Sequence, residues 1–237
     1  MSDKVKSKVA DAAVQEKKLP GWALLLDLEF AAVDGMQVLY KAYEAAFKEA
    51  EIEFSEVLFA RFAVEETAKV GVGGIFRYLK QPKNKVAKLA EKIEEAYSAA
   101  IASAQALPII KPLVKAVTEN DGAFAVVTSL PAEAAADLIK KTGLPESTLV
   151  SEVPLEGYGY RSSESWTLAG VGLQQFPRRM IACAGAGAAA REALSARMHL
   201  AAFYSPHTEF QDFSGADFVS SGVAKDAAAI VKFMETR

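Results

Sequence analysis

The chain has 237 residues, of which 51% are hydrophobic and 24% charged, and its formal net charge at pH 7 is −3. This composition is typical of a globular protein with a substantial core, and the mixture of acidic and basic residues along the chain argues against a nucleic-acid partner. The single cysteine, Cys183, excludes an internal disulfide, and no apolar run approaches the roughly 18 residues of a membrane span. We therefore expect a cytoplasmic protein that binds neither nucleic acid nor membrane.

The first 18 residues are polar and contain five lysines, three acidic residues and no arginine. They have no apolar segment, so they match neither a secretory signal nor a transit peptide. We expect residues 1–18 to form a solvated arm or a short helix.

Short apolar runs bounded by turn residues indicate five buried strands and one short edge strand. The predicted strands are Trp22–Leu28, Ala123–Val127, Leu149–Val153, Arg179–Cys183, His199–Phe203 and Asp217–Val219. From the second strand onward, helical patterns alternate with the strands, as at 131–141 and 223–234. Such alternation is typical of an α/β protein with a doubly wound parallel sheet.

The long stretch between the first and second strands has helical spacing of apolar residues and no strand pattern. Gly71, Gly73 and Gly74 predict a turn between two helices within it. The stretch is too long for an ordinary crossover, so it indicates an inserted α-helical cap. The predicted division is an arm at 1–18, an α/β core at 19–35 and 106–237, and a cap at 36–105.

Polar residues stand at the ends of two of the predicted strands. Asp27 ends the run LLL, Glu29 stands two residues later, and Thr128 and Ser129 follow the second strand. A strand ending in Asp, then a long helical insert, then a strand ending in Thr or Ser, resembles the haloacid dehalogenase-like superfamily. It is most similar to the phosphoglycolate phosphatase and β-phosphoglucomutase branch, and the resemblance covers the chain from residue 22 to its end.

The resemblance implies a Rossmann-like core and a role for each of these side chains in phosphate-ester hydrolysis. Asp27 falls on the family's nucleophile, which forms an aspartyl-phosphate, and Glu29 falls on its general acid/base. Thr128 and Ser129 fall on the strand end that binds phosphate. Arg161 is the nearest candidate for the basic residue that offsets the phosphate charge.

The family's fourth motif places an acidic pair after a later strand, where it helps the nucleophile to hold Mg²⁺. In this chain that place is Ala184-Gly185, so only Asp27 remains as a carboxylate ligand for the metal. Asp34 or Glu164 could replace the missing ligand by folding toward the site. The resemblance to the family thus implies a bound Mg²⁺, whereas the missing acidic pair in this sequence argues against it.

Two further positions depart from the family pattern. Glu29 is one methylene longer than the family's aspartate, and a shift of about 1 Å at a catalytic group can cost about a hundredfold in rate. Phe30 replaces a glycine in a compact turn. Together with the lost acid, these changes favour a degenerate site with weak or no phosphohydrolase activity and a role in phosphometabolite binding or protein interaction.

Two other functions fit the same residues. One is an active Mg²⁺-dependent phosphomonoester hydrolase with Asp27 as nucleophile and a relocated metal ligand. The other is a purely structural protein-interaction module. A monomer and a small homo-oligomer are both compatible with the sequence.

A different class of protein is suggested by the run 185–190, GAGAAA, which follows the fourth predicted strand. It resembles the dinucleotide-binding fingerprint with its last glycine replaced by alanine. That fingerprint belongs after the first strand, and here no acidic residue ends the next strand. We therefore favour the phosphatase pattern over nucleotide binding.

Overall fold

The computed structural model describes residues 21–236, and the predicted arm at 1–18 lies outside the described residues. Six parallel strands form one sheet in the order β3-β2-β1-β4-β5-β6, which confirms the predicted doubly wound α/β fold. The strands are β1 (Ala23–Asp27), β2 (Ala123–Thr128), β3 (Leu149–Glu152), β4 (Met180–Ala184), β5 (His199–Phe203) and β6 (Phe218–Ser220).

Helices cover both faces of the sheet and fill the stretch between β1 and β2. The helices are α1 (Gly35–Glu49), α2 (Glu56–Phe62), α3 (Ala68–Tyr78), α4 (Val86–Ile101), α5 (Ile110–Glu119), α6 (Ala132–Thr142), α7 (Ser163–Gly172), α8 (Gly187–Ser195) and α9 (Ala227–Glu235). Within residues 21–236, no helix is long and apolar enough to cross a membrane.

The central strand β1 is buried along its whole length. Its side chains alternate between two cores, as the period of two in a strand requires. Leu24 and Leu26 pack in the core that includes the helices after β1, whereas Ala23 and Leu25 pack in the core on the other face. Burial on both faces explains why β1 is a continuous apolar run rather than an alternating one.

Helix α7 has no counterpart among the predicted helices. Its glycines pack against the sheet: a Cβ on Gly170 would lie 2.4 Å from Met180 Cε, and one on Gly172 would lie 2.4 Å from Leu149 Cδ2. Glycine weakens a helix in isolation, so this helix depends on tertiary packing that the local sequence does not reveal.

The predicted turn at Gly71, Gly73 and Gly74 is wrong, because all three residues lie inside α3. A Cβ on Gly71 would lie 2.6 Å from Tyr43 Oη, and one on Gly74 would lie 2.8 Å from Phe62 Cδ1. Two of the three glycines therefore make room for neighbouring rings instead of reversing the chain.

The chain enters and leaves the helical stretch α1–α4 at neighbouring points. Val33 and Ala106 form an isolated antiparallel bridge, and Asp34 N donates to Gln105 O at 2.9 Å. We keep the cap at 36–105, inserted in a core of 19–35 and 106–237, as a proposal that this paired junction supports.

Candidate functional site

Three charged side chains meet beyond the carboxyl end of β1. Arg161 Nη2 lies 3.0 Å from Asp27 Oδ1 and 2.8 Å from Glu29 Oε1. Asp27 ends β1, Glu29 lies in the single π-helical turn Leu28–Ala32 that follows directly, and Arg161 precedes α7. The side chains are 0%, 0% and 1% exposed for Asp27, Glu29 and Arg161. The structure thus places together the candidate nucleophile, acid/base and basic residue of the sequence analysis.

The end of β2 completes this cluster. Ser129 donates to Glu29 Oε1 from both its backbone N and its Oγ, each at 2.8 Å. Thr128 is fully buried, and its Oγ1 accepts from Leu130 N at 3.1 Å. Glu29 Oε1 therefore receives two hydrogen bonds from Ser129 and an ion pair from Arg161, which is a set of donors suited to an anion.

The π-helical turn also explains the glycine in the fourth motif. A Cβ on Gly185 would lie 1.9 Å from Phe30 O and 2.5 Å from Phe30 C. The Phe30 ring lies beside the guanidinium, with Arg161 Cζ 5.6 Å from the ring centroid. While the turn keeps this shape, no residue with a side chain fits at position 185. Sequence reasoning identified Phe30 and Gly185 separately and missed this contact between them.

The residues at this strand end do not fit a magnesium site. Mg²⁺ needs hard oxygen ligands in octahedral geometry, but the guanidinium of Arg161 already lies between Asp27 and Glu29. Ala184 and Gly185 have no side-chain oxygen. Throughout the described part of the chain, no three His, Cys, Asp or Glu side chains come together as a metal-binding group.

Neither candidate replacement ligand reaches the cluster. Asp34 caps helix α1, where its Oδ1 accepts from Gln37 N at 3.3 Å. Glu164 is exposed in the first turn of α7. Both carboxylates have the positions expected of helix N-terminal acids, which stabilise the helix through its unpaired amides and its dipole.

Burial and the neighbouring charges shift the pKa values of Asp27 and Arg161. Burial raises the pKa of Asp27 to about 7; Arg161 opposes this rise, and Glu29 adds to it. Burial lowers the pKa of Arg161, but Asp27 and Glu29 outweigh that effect and hold it above its ordinary value. Asp27 therefore takes up a proton near neutral pH.

The raised pKa of Asp27 predicts a stability that falls as the pH rises from 5 to 7. The pKa of this carboxyl is about 7 in the folded protein against 3.8 ordinarily. Between these values the folded state binds more protons than the unfolded one, so the free energy of unfolding decreases with pH and levels off above 7. We expect a decrease of roughly 2 to 3 kcal/mol from this group.

Urea unfolding of the wild type and of Asp27→Asn at pH 5, 6, 7 and 8 measures this contribution. Asp27→Asn should flatten the decrease, whereas Asp121→Asn, at an exposed aspartate, should leave it unchanged. An unchanged pH slope in Asp27→Asn would contradict the prediction.

A loop of the helical stretch is held against the core at the start of α8. Glu65, after α2, accepts from Ala188 N at 2.7 Å and from Gln211 Nε2 at 3.0 Å. It therefore caps the N-terminus of α8, where the side chain of Ala186 offers no cap. The loop that leads to Arg161 packs against it, since a Cβ on Gly157 would lie 2.3 Å from Glu65 O and Tyr158 N donates to Glu66 O at 3.1 Å. The helical stretch therefore contacts the loop that carries Arg161.

Comparison with protein-family models finds none that matches this chain, and comparison with curated protein sequences likewise finds none. Solved structures do match it. CbbY from Rhodobacter sphaeroides, solved in complex with phosphate, is 18% identical, with 86% of this chain and 95% of that chain covered at a TM-score of 0.64.

Two further structures match over similar lengths. β-Phosphoglucomutase from Clostridium difficile is 15% identical, with 90% of this chain and 96% of that chain covered at a TM-score of 0.67. A haloacid dehalogenase-like protein of unknown function from Agrobacterium tumefaciens is 14% identical, with coverages of 90% and 98% and a TM-score of 0.72. Likeness at these identities establishes architecture and not activity. The chain therefore has the haloacid dehalogenase-like fold, as the resemblance of its strand-end motifs predicts.

Proposed function

We propose that this chain is a haloacid dehalogenase-like protein that does not hydrolyse phosphate esters and acts by binding a partner through its surface. The observation that carries the proposal is the set of contacts at Glu29 Oε1. Arg161 Nη2, Ser129 N and Ser129 Oγ all lie 2.8 Å from this one oxygen. The groups that the family pattern assigns to phosphate are engaged here by the chain's own carboxylate.

Substrate access supports the same proposal. Asp27, Glu29, Thr128 and Arg161 are all buried, so a phosphate ester would have to displace Arg161 from both carboxylates. Breaking a buried ion pair by removing one partner costs about 3 to 5 kcal/mol. The phosphate complex of CbbY suggests a phosphate-binding role. Binding of free phosphate here would likewise require Arg161 to leave both carboxylates.

The nucleophile is also poorly prepared for attack. With its pKa raised to about 7 by burial, Asp27 holds a proton in a large fraction of molecules at neutral pH. Its only neighbouring cation among the described residues, Arg161, is shared with Glu29. Little positive charge is therefore left to stabilise a phosphoryl group in the transition state.

We expect the purified protein to turn over p-nitrophenyl phosphate, in the presence of Mg²⁺, no faster than Asp27→Asn does. Beryllium fluoride with Mg²⁺ should not raise the melting temperature of either protein. Asp27→Asn is the matched control because it keeps the shape of the side chain and removes the nucleophile.

The active-hydrolase alternative keeps one observation in its favour, which is that Asp27, Glu29, Thr128 and Arg161 meet at one strand end. It requires an open state in which Arg161 leaves the carboxylates. A ligand at 100 times its dissociation constant would then stabilise the fold by about 2.7 kcal/mol, and Asp27→Asn would lose both this shift and turnover. That pair of results would overturn the proposal.

A further inference from the structure

Charge is not evenly mixed in the helical stretch between β1 and β2. Residues 67–90 contain six basic and no acidic residues, in a chain whose net charge is −3. All six basic side chains are exposed. The six residues, which we call the basic cap face, are Lys69, Arg77, Lys80, Lys83, Lys85 and Lys88.

The basic cap face is continuous in space. Helix α3 packs along α4, and the short 3₁₀ turn Lys83–Lys85 contacts both helices. Lys69, Gly73 and Arg77 recur every four residues and so lie along one stripe of α3, away from its buried side. Lys80 follows directly after the helix, in a left-handed backbone conformation with φ of 59°.

These cations are free to pair with another molecule. Among the described residues, none of the six has an acidic partner within 4.0 Å. By contrast, Lys92 on the same helix α4 pairs with Glu49. Lys88 alone of the six acts on a carboxylate at longer range, where it helps to lower the pKa of Glu49, so most of the charge of the face is available for binding.

Gly73 at the centre of the stripe has no packing role that explains it. A Cβ there would meet only Val86 Cγ1, at 4.0 Å, whereas Gly71 and Gly74 are crowded by neighbouring side chains. Glycine inside a helix costs about 0.5 to 1 kcal/mol relative to alanine. It also allows another backbone to approach closely. The adjacent Val70 is 53% exposed, so the centre of the face is partly apolar and has no side chain at position 73.

We propose that the basic cap face binds an acidic helical segment of a partner protein. The segment lies along α3 with its backbone near Gly73 and its carboxylates facing Lys69, Arg77 and Lys80. This inference rests on the proposed function and deepens it, since it gives the chemistry of the partner of a chain that acts by binding. Paired charges around a close apolar contact are typical of protein interfaces.

Two other anionic partners fit the face less well. Single-stranded nucleic acid is bound by cations combined with aromatic stacking platforms, but the exposed Tyr78 follows Lys69 by nine residues and so faces the opposite side of α3. An anionic membrane would use the six charges but would leave Gly73 unexplained, because a lipid surface brings no backbone close.

Fluorescence anisotropy with a synthetic helical peptide tests the proposal. The labelled peptide, about six helical turns long, carries glutamate along one face and alanine elsewhere. We expect it to bind the full chain and to bind more weakly as salt is raised from about 50 to 200 mM. The triple variant Lys69→Glu, Arg77→Glu, Lys80→Glu should bind at least tenfold more weakly.

Two matched variants separate this surface from general charge. Reversing the exposed Lys111, Arg178 and Lys225 to glutamate changes the net charge equally and should alter binding less than twofold. Gly73→Leu keeps the charge and should weaken binding at least fivefold.

Equal losses in the two triple variants, or no peptide binding at low salt, would overturn the inference. So would tighter binding of a single-stranded RNA or of phosphatidylserine vesicles through the same three residues. Hydrolysis of p-nitrophenyl phosphate is measured on the same preparations. Hydrolysis together with normal peptide binding would contradict the proposed function and leave this inference standing. If the protein neither hydrolyses the ester nor binds the peptide, this inference alone is wrong.

Discussion

Replacing Arg161 with methionine should lower the free energy of unfolding by about 3 to 5 kcal/mol. The change removes the only cation that, among residues 21–236, pairs with the two fully buried carboxylates Asp27 and Glu29. Methionine fills much of the same volume, so the loss reports charge rather than a cavity. Urea unfolding at pH 8, above the pKa of about 7 that Asp27 has beside Arg161, measures the loss.

Arg191→Met is the matched control for this prediction. Arg191 forms a looser ion pair with Glu65 at 3.7 Å and its side chain is 57% exposed, so its loss should cost no more than about 1 kcal/mol. Adding Asp27→Asn and Glu29→Gln to Arg161→Met should restore most of the lost stability, because no buried charge then remains. If Arg161→Met is no less stable than Arg191→Met, the closed ion-pair cluster is wrong.

Gly185→Ala should destabilise the protein by about 3 kcal/mol, a large effect for a single added methyl group. The new Cβ would lie 1.9 Å from Phe30 O and 2.5 Å from Phe30 C. These are backbone atoms, so the clash cannot be relieved by rotating a side chain, and the turn after β1 must be rebuilt. Chemical unfolding of the purified variant measures the loss.

Gly73→Ala serves as the control for the glycine prediction, because a Cβ there meets only one atom, at 4.0 Å. It should stabilise the helix, by up to about 1 kcal/mol. Gly185→Asp, which restores an acid of the family's motif, should destabilise at least as much as Gly185→Ala and should not create turnover. A Gly185→Ala protein as stable as the wild type would show that Phe30 does not lie against position 185.

The departures from the family pattern are therefore physically connected. Phe30 O lies where a side chain at position 185 would begin, so the shape of the turn and the glycine at position 185 go together. Arg161 then supplies the positive charge between Asp27 and Glu29. Under the proposed function, an acid restored at position 185 alone would still meet the turn at Phe30 and the ion pairs of Arg161 with Asp27 and Glu29.

The sequence by itself determined the order of the strands along the chain and the residues at their ends. The apolar run before Asp27 and the segment His199–Phe203, whose predicted bounds match β5, carry local signals because buried parallel strands are uniformly apolar. The strand-end residues Asp27, Glu29 and Thr128 were found in the same way, since Asp27 and Thr128 each stand directly after such a run and Glu29 stands two residues beyond Asp27.

Only the tertiary structure decided what those residues do to one another. Ser129 and Glu29 are 100 residues apart in the chain but are hydrogen-bonded to each other. Phe30, which follows a different strand, leaves no room for a side chain at Gly185. Helix α7 and the glycines inside α3 were missed for a related reason, since Met180 and Tyr43 decide their packing. Local propensity reports only on neighbours in sequence, whereas burial, ion pairing and close approach are set by residues that folding brings together.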